Sequence, residues 1–445
     1  MSSSNIKFLN HSSVLIQCGD SFVMTDPWYD KPSFGSWLST PPCSIHPAYL
    51  VALSKAVENF ILVVSHGHDD HLDDNMIALF PKDTKVLIPK YKSVGLRKRL
   101  ERAGLKNIYE ANSGGLTLGN FTFKTYINPD ICPDDALITI RTEDKFIVHA
   151  NDNWQELEKD VIQDMIDDSS DLIDTDKLYM SQCNLADGWP ELYRDYTEEE
   201  KSIVQDSRIE NIIKNTLYNA SLIGCKSFLN YAGHASAFVA NNPGLRDRTS
   251  YVSNNLVESI ASKFNIGVNI LNMVPGDSFD FVKITKQFDG INISDVILKE
   301  SSWEFYEKYN VVSACDSYEP ENTHDGNLEE KLNLFLNGFN KFVSSRVEKS
   351  RFNHDIIDFK VTIRSETVES TTIFSNYSNV NKCAIFYVND IMLQKLLNRE
   401  INWENLYIGY QAEVETCPMK TNIRAVIRWL ASYGYVYQVR GATNV

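Results

Sequence analysis

Six consecutive residues constrain this chain more than any others. His66-Gly67-His68-Asp69-Asp70-His71 follows, after Ser65, the short apolar run 60–64. A continuous apolar run of that length reads as a strand buried on both faces. Three histidines and two aspartates at the end of such a strand are costly to desolvate unless a cation compensates them. In extended backbone alternate side chains point the same way, so His66, His68 and Asp70 face one centre while the adjacent His71 turns towards another. Imidazole mixed with carboxylate suits zinc, iron or manganese. The spacing predicts a metal site where a buried strand ends, and it demands a fold that brings further ligands to that edge.

The remaining pattern supplies such a fold. Strand-like segments at 7–9, 13–17, 22–25, 60–64, 85–88, 116–127, 136–148, 177–181 and 226–231 are interspersed with helical ones at 73–80, 92–103, 155–166 and 198–223. This is not strict βαβ alternation; it suits an α/β sandwich with helices outside two packed sheets. A polar stretch at 313–327 marks a boundary between a catalytic domain, 1–312, and a smaller α+β unit, 328–445. In that unit 328–347, 391–398 and 423–432 read as helices, and 358–363, 371–374 and 384–388 as strands.

Several residues are placed to complete the site. Asp26 ends the strand 22–25 and is suited to orienting a ligand histidine. Asp152 follows the strand around 146–148 and is the natural carboxylate between two metals; with Asp70 it is also a candidate proton acceptor. His234 follows the strand 228–231, next to Gly233. His11 lies between two strands and is expected to face substrate or back the ligands rather than bind metal. A lone histidine is more often structural, and Asp26 could equally cap a turn. Cys43 and His46 have half the spacing of a Rieske cluster site, but no Cys-x-His occurs, so they read as ordinary loop residues.

HGHDDH resembles the His-x-His-x-Asp-His signature of the metallo-β-lactamase superfamily, and Asp26, Asp152 and His234 fall where that superfamily places its remaining site residues. The resemblance implies an αββα sandwich with metals at one edge of the sheets. The segments LNHSSVLI, TDPWYDKPSFGSW, SHGHDDHLD, NYAGH and INWENLYIGYQAEVE resemble the CMP-N-acetylneuraminate hydroxylase family across most of the chain. That family carries a Rieske domain ahead of this region; none is expected on this chain. One departure stands out. The superfamily has another histidine between the HxHxDH loop and the bridging Asp, whereas no histidine lies between His71 and His149. Asp130 is the first expected substitute, Asn128 the next, with Asp134 or Asp135 as further options. The resulting ligand set is His66, His68, Asp70, His71, Asp130, Asp152 and His234, a hard mixture that favours iron. Inserted loops in this superfamily often wall the substrate pocket, so Asp187, Trp189, Tyr193 and Arg194, with Trp28 and His11, are candidate substrate contacts.

Two functions follow as expectations. The first is an iron-dependent, dinuclear oxygenase or hydroxylase of a small polar metabolite. Because no dinucleotide motif occurs, it needs a separate electron donor or a substrate that itself supplies the electrons. The second is a dinuclear zinc or manganese hydrolase of an ester, lactone or phosphodiester, in which the metals lower the pKa of water and polarise the substrate. A net charge of −16 argues against nucleic acid and anionic membrane as partners. The basic helix face of Lys92, Arg97, Lys98, Arg99 and Arg102 is either solvated or meets an acidic partner. No apolar run is long enough to span a bilayer, and the first residues lack the pattern of a secretory signal. With eight scattered cysteines, a cytoplasmic protein is the expectation.

Overall fold

The computed structural model describes residues 4–29, 32–39, 45–128, 132–152, 157–233, 235–237, 252–286, 327–346, 359–374 and 380–440. Two large sheets build its catalytic half. The first sheet contains β1 (Asn5–Asn10), β2 (Ser13–Cys18), β3 (Ser21–Thr25), β4 (Asn59–Val63), β5 (Lys85–Pro89) and β6 (Asn107–Ala111), with Ser278–Phe279 and Ile284–Thr285 added beside β1. The second contains β7 (Leu116–Leu118), β8 (Phe121–Asn128), β9 (Cys132–Arg141), β10 (Phe146–Asn151), β11 (Lys177–Ser181) and β12 (Ser227–Asn230), with Asn269–Ile270 beside β12. β3, β4, β5 and β6 run parallel, as do β10, β11 and β12.

Alternation along the strands decides the layers. In β4, Ile61 and Val63 join the core between the sheets, where they meet Ile138, Ile140, Ile147 and Met180 of the second sheet. Phe60 and Leu62 face the other way, onto α1 (Pro47–Ala56), α2 (Asp74–Leu79) and α3 (Gly95–Arg102) through Leu50, Met76 and Leu100. The outer face of the second sheet packs Phe146, Val148, Tyr179 and Phe228 on α4 (Lys159–Asp168), α5 (Glu198–Ile223) and α6 (Asn254–Lys263). The result is a four-layer αββα sandwich. α5 begins with a capping box, Thr197 with Glu200, and ends at Gly224 with φ 79°. α4 begins four residues later than the sequence pattern suggests, because Glu158 is extended at its N-cap.

The C-terminal unit is a four-stranded sheet, ordered β14-β13-β15-β16, with helices. Its strands are β13 (Phe359–Arg364), β14 (Glu369–Phe374), β15 (Lys382–Val388) and β16 (Ala412–Cys417). Its helices are α7 (Leu328–Ser344), α8 (Asp390–Leu397), α9 (Trp403–Tyr407) and α10 (Arg424–Arg440). Its core is continuous with Trp28, Phe34, Trp37, Leu192 and Tyr193 of the catalytic half. The expected boundary at 313–327 falls, but for Asn327, outside the described residues. Among the described residues no helix is long and apolar enough to cross a membrane.

Candidate metal centre

The parallel strands deliver their carboxyl ends to one edge of the sandwich, where open α/β sheets place their ligands. Asp26 follows β3, the His66–His71 loop follows β4, and Asp152 follows β10. Asp135 lies within β9 and His11 in the turn between β1 and β2. Part of the backbone strain lies here. Asp26, His11, Asn151 and Ala232 all have positive φ, between 36° and 46°. Such non-glycine conformations cost on the order of 1–3 kcal/mol each and persist where surrounding contacts over-determine them.

Asp26 is fully buried and organises the loop. Its Oδ1 accepts from the Ser65 backbone N–H at 2.7 Å, and its Oδ2 from the Ser65 hydroxyl at 2.7 Å. Oδ2 also lies 2.9 Å from His71 Nδ1 and 3.0 Å from His149 Nε2. Burial works against its charge, yet His149 and then His71 hold the carboxyl well below the usual carboxylate range. If Nδ1–H of His71 donates to Asp26, its Nε2 lone pair is left free, 3.3 Å from Asp152 Oδ1. The Tyr231 hydroxyl contacts His149 Nδ1, which completes a buried Tyr231–His149–Asp26–His71 chain.

Among the described residues two trios of possible ligands result: His66, His68 and Asp152, and His11, Asp70 and His71. Within each, one ligand atom per residue lies within 4.8 Å of the others. His66 Nε2 is 3.7 Å from Asp152 Oδ2, and its Nδ1 is 3.6 Å from Asp135 Oδ1. His11 Nε2 is 3.4 Å from Asp70 Oδ2. Among the described residues, several buried atoms at this edge have no hydrogen-bond partner: His71 Nε2, Asp70 Oδ1, Asp135 Oδ1, Asp152 Oδ1 and both ring nitrogens of His11. Orphaned nitrogen and oxygen atoms of that kind are costly in a dry interior and fit a hard or borderline cation, so these residues suit the metal the motif implies. Burial lowers the His66 pKa, with the charges of His71 and His68 adding to it, which favours the neutral ligand form. Burial, then the charge of Asp152, raises the carboxyl of Asp135 well above its ordinary range.

Two packed sheets flanked by helices now carry an HxHxDH loop at their shared edge, met there by Asp26 and Asp152. The protein has the metallo-β-lactamase fold.

No family model matches the chain. A protein of Mycolicibacterium smegmatis named for a Rieske 2Fe-2S iron-sulfur centre is 31% identical over 103 residues, 23% of this chain and 19% of that protein. Cytidine monophosphate-N-acetylneuraminic acid hydroxylase of Asterias rubens is 35% identical over 107 residues, 23% of this chain and 15% of the other. The match therefore spans less than a fifth of these curated relatives. Among solved structures, the metallo-β-lactamase-fold protein YhfI of Bacillus subtilis aligns over 63% of this chain and 99% of its own, at 17% identity and TM-score 0.35.

The metallo-β-lactamase fold also positions residues the motif does not reveal. His149 looks like part of an ordinary strand in sequence, yet it supports Asp26. Arg99, one of the basic helix residues, holds the metal loop: it donates to Gly67 O at 2.6 Å and Leu72 O at 2.9 Å, and pairs with Asp69 and Asp74. Glu404, from α9, reaches 3.6 Å from His68 Nε2. His234, Asp130 and Cys43 lie outside the described residues, as do the side chains of Asn128 and Asp134. His46 caps α1, accepting from Ala48 N. Trp28 is buried, with its ring 5.1 Å from that of His11. The other expected substrate contacts are engaged within the protein. Asp187 pairs with Arg208 at 2.5 Å, and the Trp189 ring lies beneath the Arg208 guanidinium. The Tyr193 hydroxyl is 3.2 Å from that of Tyr407, and Arg194 pairs with Glu413. Tyr193 and Arg194 thus join the two halves, Asp187 and Trp189 pair within the catalytic half, and none of the four lines the cavity that contains His66 and His68.

Proposed function

We propose that the protein is an iron-dependent oxygenase or hydroxylase of a small polar metabolite, holding one or two metal ions at this edge. The observation that carries the reading is the carboxylate content. Asp70, Asp152 and Asp135 all reach the histidine cluster, a harder donor set than imidazole alone and one that favours iron over zinc. The local identity to a hydroxylase supports the same chemistry. His66, His68, Asp70, His71 and Asp152 would hold the metal, with His234, and with Asp130 or Asp135 in place of the missing histidine. When bound, iron would supply the redox and Lewis-acid chemistry that activates O2, with electrons from a separate donor. The chain's own residues do the rest. Asp26 fixes the tautomer of His71, and the buried strand ends exclude water.

The test is elemental analysis and turnover. Protein made with ample iron and scarce zinc should hold iron and consume O2 with substrate. Two zinc ions per chain, with equal turnover under nitrogen, would instead establish a hydrolase.

A further inference from the structure

A cavity of about 620 Å³ separates the metal loop from the C-terminal unit, with His66 and His68 on one side. Its opposite wall comes from α7, the turn that follows it and α10, through Phe342, Arg346, Arg428 and Trp429. The two sides meet closely: a Cβ built on Gly95 of α3 would lie 3.4 Å from the Tyr435 hydroxyl of α10. We propose that this cavity is the substrate site and that its ligand is an organic anion, a carboxylate or phosphate joined to a planar apolar group. The inference rests on the metalloenzyme reading only for the role of the histidine side.

Charge and shape carry the argument. Among the described residues the lining holds three arginines and a single carboxylate, Glu404, in a chain of net charge −16. A cationic cleft in an acidic protein focuses field lines on an anion. Arg99 is not the grip, because its guanidinium is spent on Asp69, Asp74 and the loop carbonyls. Arg346 is different: its Nη1 donates to Phe342 O and Ser345 Oγ, and among the described residues no carboxylate pairs with it. Its guanidinium lies 4.0 Å over the Phe342 ring, and Phe342 meets Trp429 edge-on at 6.0 Å. A guanidinium held over aromatic faces offers its fork to a carboxylate or phosphate while the rings pack a flat group. Arg428 adds a second guanidinium to that wall. Glu404 stands apart from this grip, at His68, and so keeps the anionic end of a ligand towards α7 and α10.

Phenyl phosphate, benzoate, phenol and benzylamine, titrated into the full-length protein by calorimetry, test the proposal. At least one of the two anions should bind roughly tenfold or more tightly than phenol or benzylamine, the scale of one charge-assisted hydrogen bond. Which anion wins separates phosphate from carboxylate recognition. Arg346→Gln and Arg428→Gln should each weaken anion binding about tenfold while metal content stays that of the unmodified protein, and Arg428→Lys should recover part of the loss. The same preference should survive in protein stripped by a chelator. Anion binding that vanishes on stripping and ignores both arginine substitutions would place the anion on the metal and overturn the proposal, leaving the metalloenzyme reading intact. Equal binding of benzylamine would overturn it too. Unmodified protein that is purified without any bound metal and takes up none when iron is supplied, yet still binds the anion, would count against the metalloenzyme reading alone.

Discussion

Asp26 shows how much of the centre depends on a residue outside the motif. Its carboxylate collects Ser65, His71 and His149, and its positive φ aims it back across the end of β4. Asp26→Asn keeps the size but places an N–H against donors, so His71 loses its tautomer lock. Metal affinity should fall roughly 10- to 100-fold with circular dichroism unchanged; chelator competition measures it, and an unaltered affinity would refute the positioning role. Asp135→Ala should reduce iron loading to a similar degree while leaving the fold intact, as mass-spectrometric metal analysis would show. Full metal content in that variant would remove the carboxylate argument for iron. Cysteine reactivity is a third residue-level consequence. Burial pushes the Cys225 thiol up to about 12 and raises Cys183 further, whereas Cys417 is exposed. At pH 8 iodoacetamide should therefore modify Cys417 well before Cys183 or Cys225, because the thiolate is the nucleophile; peptide mapping decides it.

Among the elements, α9 and the turn after it bind the two halves. Ser36 Oγ donates to Gly409 O at 2.7 Å, and Trp37 Nε1 donates to Ile408 O at 2.8 Å. A Cβ on Gly409 would sit 2.2 Å from both Asn405 O and Phe34 O, which are backbone atoms that cannot yield cheaply. Gly409→Ala should therefore cost about 1–3 kcal/mol and lower the melting temperature, with Gly267→Ala, which meets nothing within 4 Å, as the control. The helix α10 shows where periodicity falls short. The sequence pattern supports a helix over 423–432, but the helix continues through Gly434 to Arg440. Trp403 packs against that glycine: a Cβ added there would lie 2.8 Å from the Trp403 Cβ, so the close approach of α9 and not helix propensity explains the residue. α1 and β16 were likewise illegible: α1 is only weakly amphipathic, and Ala412–Cys417 mixes Glu413 and Glu415 into its outward face.

At the scale of the whole molecule, the C-terminal unit covers apolar surface that the sandwich cannot hide. Phe34, Trp37, Leu192 and Tyr193 are buried in a core shared with α7, α8 and the second-half sheet. A chain ending at residue 286 should therefore expose a large apolar patch, bind a hydrophobic dye and aggregate; a soluble, monomeric truncation by light scattering would contradict this. The αββα layering and the metal loop were legible because both are local. Alternation and apolar runs encode which faces are buried, and HGHDDH concentrates its donors within six residues. The partnership of His149 with Asp26, Arg99 with the loop carbonyls, and Glu404 with His68 was not legible. Each joins residues separated by tens to hundreds of positions, and none carries a spacing that distinguishes it from strand, solvated helix face or loop. Periodicity sets which elements form and which faces they bury; only tertiary packing decides which distant side chains share one low-dielectric edge, because that depends on sheet order and on the C-terminal unit closing over it.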